Sequence, residues 1–227
     1  MNTTKLICLV ILIIKICLAN NVVMPQTEEW EKQLKQDPEN KNILLNLGRY
    51  YHDIGGNQDD KEAVNKAEEH LLQLIHIDSS QGLALVYYGS VLTMKARYAF
   101  SPWNKLKYVK KGIYWMDKAV FLEPDNPEVR LIRGINFISL PAMFNCFSVG
   151  LEDFKYIDQL LRIQSLNLTE SFWLPYYYNF GLALLKKGEY AKARGKLLKT
   201  VAVNPDSDYA AYARRDLKKI EGNTYEE

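Results

Sequence analysis

The chain has 227 residues, 48% of them hydrophobic and 25% charged, with 29 basic and 27 acidic side chains and a formal net charge of +2. That near-neutrality excludes a phosphate-rich partner such as nucleic acid, whose binding rests on an excess of clustered cations. Three cysteines are too few for a disulfide framework, and the apolar content suffices for one elongated domain with a continuous core.

Residues 1–19 carry a positive charge in Met1 to Lys5, continue as an apolar run from Leu6 to Ile14 and end on Cys17-Leu18-Ala19. This pattern predicts a secretory signal peptide cut before Asn20, hence an exported chain, periplasmic or secreted. The alternative is an uncleaved N-terminal membrane anchor, although a spanning helix needs about 20 apolar residues and Lys15 interrupts this run. Cleavage leaves 27 basic against 27 acidic side chains and removes Cys8 and Cys17, so that Cys146 stays behind as a lone thiol. It reads as a small buried apolar residue.

Residues 20–36 read as a linker and an N-terminal capping helix, Glu28 to Gln36, capped by Thr27, with Trp30 and Leu34 one turn apart. From 37 to 205 a turn residue is followed ten positions later by a glycine four times: Pro38 and Gly48, Ser79 and Gly89, Pro124 and Gly134, Ser171 and Gly181. Each glycine lies in an apolar, aromatic-rich helical stretch, and a unit returning at a period of 41 to 47 residues is one that stacks on its neighbours.

Repeat one pairs Asn42–Ile54 with Lys61–Ile77 across a loop from Gly55 to Asp60. Repeat two places Leu85, Tyr88, Gly89 and Leu92 on its first helix, then a loop from Phe100 to Asn104 and a helix from Lys105 to Leu122. Repeat three runs from Glu128 to Ser139, through an apolar loop from Leu140 to Ser148, to a helix from Val149 to Gln164. Residues 206–227 are a C-terminal capping helix, Asp208 to Ile220, with a frayed tail.

In repeat four, Tyr177, Phe180, Gly181, Leu184, Ala193, Leu197 and Pro205 fall at the spacing of a known pattern, and there the chain resembles the tetratricopeptide repeat (TPR) family. A block of Pro102, Lys105, Leu106, Lys107, Tyr108, Lys110 and Gly112 is similar to one in uncharacterised exported bacterial repeat proteins. The resemblance implies an all-α, right-handed α-solenoid of antiparallel helix pairs whose first helices line a concave groove. Gly181 and Ala193 would let the paired helices of repeat four approach closely.

Carried onto this sequence, the groove positions are Arg49, His52 and Asp53, then Val86, Ser90 and Met94, then Leu131, Ile135 and Ile138, and last Tyr178, Leu182 and Leu185. The middle of that wall reads as apolar, suited to an amphipathic helix or apolar strand of a partner. Two states of the groove stay open: free for a partner, or self-filled, with the superhelix closed on itself or Val22 to Leu34 occupying the groove. Phe100, Trp103, Met143, Phe144 and Phe147 belong to apolar loops along one edge, as a docking rim for a partner or a membrane surface, or as extra core.

No catalytic set, metal site or cofactor motif stands out. His70 and His76 are six apart and do not share a helix face, and there is no phosphate loop or nucleophile elbow. Lys105, Lys107, Lys110 and Lys111 read as a solvated face, and Glu152, Asp153, Asp59 and Asp60 as surface charges. Only a cluster of His52, Asp53 and other polar groups in a deep pocket would favour an enzyme. The expectation is a noncatalytic scaffold for a protein or peptide, with an accessory role at an envelope transporter, holding a small apolar ligand, as the alternative.

Overall fold

The computed structural model describes residues 26–163 and 166–223. The expected signal peptide, the linker up to residue 25 and the tail beyond 223 lie outside them. Among the described residues there are ten α-helices, one 3-10 turn and no strand. The helices are α1 (26–36), α2 (Lys41–Asn57), α3 (Lys61–Ile77), α4 (Gly82–Tyr98), α5 (Pro102–Leu122), α6 (Pro127–Ser139), α7 (Phe147–Ile163), α8 (Glu170–Lys186), α9 (Tyr190–Val203) and α10 (Asp208–Asn223), with the turn Ala142–Phe144 between α6 and α7. No helix among the described residues is long and apolar enough to cross a membrane.

Side-chain caps set several helix starts. Asn40 accepts from the Ile43 amide, Asp60 from those of Glu62 and Ala63, Ser101 from that of Asn104, and Asn126 from those of Glu128 and Val129. Pro102 and Pro127 occupy the first turn, where a missing N–H costs nothing. Several boundaries differ from the sequence reading: α5 starts at Pro102, so Trp103 lies on a helix and not in the expected loop from Phe100 to Asn104. The first helix is already running at Gln26, so Thr27 lies inside it and is no cap. Gly55 and Gly56 continue α2 instead of opening a loop, and Phe147 starts α7 instead of ending one.

Helices pair antiparallel, as α4 and α5 show: the Gly82 amide donates to Glu123, Gly89 meets Gly112 and Met116, and the Lys95 ammonium lies over the Tyr108 ring. The recurring glycines are where the axes come closest. A Cβ on Gly89 would stand 2.7 Å from the Gly112 carbonyl oxygen, one on Gly48 2.7 Å from the Leu71 side chain, and one on Gly181 2.9 Å from Leu197. Ala193 is fully buried in that last pair, as the resemblance implies.

Buried side chains form a chain of clusters from one end to the other. One spans α2 to α6 and takes in Cys146, the next spans α6 to α9 around Phe154, Tyr176 and Phe180, and the last joins Leu197 of α9 to Ala213, Leu217 and Ile220 of α10. α6 belongs to the first two clusters, so each pair covers the apolar flank of the next. Asp153 departs from its reading as a surface charge. It is 1% exposed and takes Arg130 Nη1 at 2.8 Å together with Arg133 Nε and Nη2, both at 2.7 Å. Arg133 also reaches Asp117 of α5 at 2.9 Å, so one carboxylate ties α6 to α7 and its partner cation reaches α5.

Candidate functional site

α2, α4, α6 and α8 stand side by side, and α10 packs on α8 at the far end. The row bends inward. Arg49 of α2 reaches past α4 to Glu128 of α6, with Nη2 and Oε1 2.5 Å apart, and its guanidinium lies 5.4 Å from the centre of the Tyr87 ring on the intervening helix. The Tyr87 hydroxyl donates to the same Glu128 oxygen at 3.0 Å. Burial foremost, then the Glu128 carboxylate, holds that hydroxyl well above the ordinary phenol range.

Next to this bridge lies a polar ladder. His52 Nδ1 is 2.9 Å from Asp53 Oδ1, and His52 Nε2 is 2.8 Å from Ser90 Oγ. In neutral His52, the ionised carboxylate can only accept, so Nδ1 carries the hydrogen and Nε2 accepts from the serine hydroxyl. Asn136 Nδ2 donates to Ser90 Oγ at 3.0 Å, and Thr93 Oγ1 lies 2.9 Å from Asn136 Oδ1. Serine, histidine and aspartate thus meet at the spacing of a hydrolase triad. Their exposure is inverted: Ser90 is 2% exposed and hydrogen-bonded on both sides, while the Asp53 side chain is 67% exposed. A nucleophile must meet its substrate and an orienting carboxylate must be sheltered, so this arrangement locks three helices together and presents a carboxylate.

The structure sorts the groove residues into three groups. Val86, Leu131 and Ile138 are buried in the core, a correction to their placement on the wall. At repeat two the inward-facing register belongs to Tyr87, one position on, because α4 turns that side of the helix toward Glu128. Arg49 and His52 do face inward, but their polar groups are engaged by the chain itself, and Met94 packs toward Gly56 at the end of α2. Ile135, Tyr178 and Leu182 remain half-buried on the second half of the wall. Its middle is therefore polar in repeats one and two and apolar only beyond Ile135.

Tyr178 donates to Asp216 Oδ2 at 3.1 Å and packs against the rings of Tyr209 and Tyr212, with centroids at 5.6 and 6.0 Å. Burial, then the Asp216 carboxylate, pushes the Tyr178 hydroxyl up to about 12. The Tyr209 hydroxyl is raised by burial and next by the Asp53 carboxylate. The concave side of the row is the candidate partner channel. Tyr87, Glu128, Asn136 and Tyr209 were missed from the sequence: Tyr87 and Glu128 lie 41 residues apart while the glycines of their repeats, Gly89 and Gly134, lie 45 apart, so the pair does not occupy equivalent repeat positions.

The loop residues do not act as one unit. Phe100, Trp103 and Met143 are 102%, 80% and 73% exposed, whereas Phe144 and Phe147 are half-buried against the core. Among the described residues no ring contact joins the two loops, and the first two side chains do not fold back as core. Cys146 is buried, donates to the Phe144 carbonyl at 3.3 Å and has its thiol pushed up by burial.

An all-helical stack of antiparallel pairs with glycine contacts inside each pair, an inward-bending row of first helices and a polar capping helix has the fold of the tetratricopeptide repeat proteins. No family model and no curated protein matches the sequence. Among solved structures the chain is similar to the thermophilic TPR protein TTC0263 of Thermus thermophilus, with a TM-score of 0.63 and 16% identity over 86% of this chain and 88% of that one. It is also similar to MamA, with a TM-score of 0.47 and 21% identity over 79% and 86% of the two chains. A further match is YrrB, a TPR protein with an unusual peptide-binding site, with a TM-score of 0.35 and 16% identity over 83% and 99%. At such identities the shared feature is the fold.

Proposed function

We propose that this chain is a noncatalytic, exported scaffold that holds a protein or peptide segment in the second half of its concave channel. The observation that carries the reading is the contrast along the wall. Repeats one and two consume their own polar groups in the Arg49–Glu128 bridge and the His52–Ser90–Asn136 ladder, while Ile135, Tyr178 and Leu182 stay half-exposed at successive turns and neighbouring helices. Side chains so spaced suit the apolar anchors of a helix or strand, and the exposed Asp53 carboxylate opposite favours a segment that carries a donor. Export rests on the charged start and apolar run of residues 1–19.

The test is recovery of envelope proteins by the wild-type chain and by Leu182→Asp and Ile135→Asp variants, with folding checked by circular dichroism. Loss of a recovered partner in both folded variants is expected. Folded variants that still recover every partner would overturn the reading, and a co-purified apolar small molecule in native mass spectrometry would favour the transporter accessory instead. A fluorophosphonate probe is expected to leave Ser90 unmodified, since Ser90 is buried and already engaged.

A further inference from the structure

Behind the concave wall, a cleft of about 450 Å³ opens between α7, α8 and α9. Its floor is Phe180 and Leu184, each two residues on from Tyr178 and Leu182 and so on the opposite side of α8 from the channel. Gly195 forms part of one wall, where a Cβ would meet nothing within 4 Å. Lys192, Lys196 and Lys199 follow one face of α9 at intervals of four and three, and Lys155 faces them from α7.

These four ammonium groups meet only two lining carboxylates, Asp158 and Glu189. Lys196, 13% exposed, donates to both oxygens of Asp158 at 2.8 and 2.7 Å and lies 4.3 Å from the centre of the Phe180 ring. Lys192 is shared with Glu189, which also holds Lys187, and Lys155 pairs with Glu152. Lys199 has no carboxylate partner among the described residues, its ammonium 5.4 Å from the centre of the Tyr177 ring. Burial lowers the Lys196 pKa, Asp158 opposes that shift through its hydrogen bonds and its charge, and Lys199 and Arg162 add smaller lowering contributions.

We propose that this cleft binds a carboxylate carried on an apolar body, the body lying on Phe180 and Leu184 and the carboxylate taking Lys196 and Lys199. Lysines alone would bind any anion; the apolar floor of Phe180 and Leu184 restricts the choice to an amphiphilic one. The volume fits one small ligand. The same chemistry comes from a free aromatic or aliphatic acid and from the last residue of a peptide.

The full chain is titrated calorimetrically with 3-phenylpropanoate, with neutral 3-phenylpropanol, and with the peptide Ala-Ala-Ala-Phe as free acid and as C-terminal amide. Binding of at least one acid is expected, weakened about tenfold or more by Gly195→Leu, whose side chain fills the cleft, and by Lys199→Glu. Raising salt from about 50 to 500 mM weakens it as well. Gly195 lies in open space on a helix and Lys199 is exposed, so both variants keep the fold. Binding of the peptide acid identifies a chain terminus as a source, and binding of phenylpropanoate alone identifies a free acid; either supports the site. The proposal is overturned when neither acid binds, when Gly195→Leu binds as tightly as wild type, or when the alcohol and the amide bind as well as the acids.

Discussion

At the scale of single residues, the same substitution has opposite consequences at two helical glycines. A methyl group on Gly89 meets the Gly112 carbonyl at 2.7 Å, the Met116 side chain at 2.7 Å and its amide nitrogen at 3.0 Å, none of which moves without separating α4 from α5. Gly89→Ala should lower stability by about 1–3 kcal/mol, the cost of overpacking a tight contact. On Gly195 the methyl meets open space, and Gly195→Ala should raise stability by about 1 kcal/mol, the difference in helix propensity. Urea unfolding of the two variants checks both signs. The sequence marks Gly89 through its place in the repeat, while Gly195 stands outside any repeat position and only the surroundings tell the two apart.

At the scale of helices, ion pairs fix how neighbours sit. Asp153→Ala removes the one carboxylate that, among the described residues, Arg130 and Arg133 share and should destabilise the chain by about 3–5 kcal/mol, because it strands the buried charge of Arg130 while Arg133 keeps Asp117. Thermal and urea unfolding measure the loss, and a change below about 1 kcal/mol would contradict this role. Adjacent acids such as Glu152 and Asp153 point different ways on α7, which is why their pairing in sequence told nothing: Glu152 is exposed and Asp153 is inside.

Two surface carboxylates make the helix junctions acid-sensitive. Hydrogen bonds from Ser80 and Lys41 hold Asp78 at about 2, and those from Lys187 and Lys192 hold Glu189 at about 2. In the unfolded chain such groups titrate at about 4. The folded state therefore gains stability that is complete above that pH and is lost as pH falls through about 2. Urea midpoints recorded from about pH 5 to 2 should fall less steeply for a chain carrying Asp78→Asn and Glu189→Gln. An unchanged slope would contradict the assignment.

At the scale of the whole molecule, the array is graded. Among the described residues, the cluster under α2 to α6 is the largest, and the one joining α9 to α10 has four buried apolar members, Leu197, Ala213, Leu217 and Ile220. In a row where each unit leans on its neighbours, the end with the least buried surface opens first. Hydrogen exchange followed by mass spectrometry should show α10 amides exchanging ahead of those of α3 and α4, and equal protection along the chain would argue against a graded array. Opening of α10 also uncovers Tyr178, so the same measurement reports access to the proposed partner channel.

The sequence by itself determined the helix pairs, their period, the glycines at which they touch and the capping helix, because these follow from apolar spacing and small residues within about 45 positions of each other. Tertiary structure alone decided which face of each helix looks inward. The one-position shift from Val86 to Tyr87, the Arg49–Glu128 bridge and the burial of Asp153 all depend on how far each pair rotates against the next. That rotation sums small contributions from every packed side chain along the stack, and no local spacing encodes it.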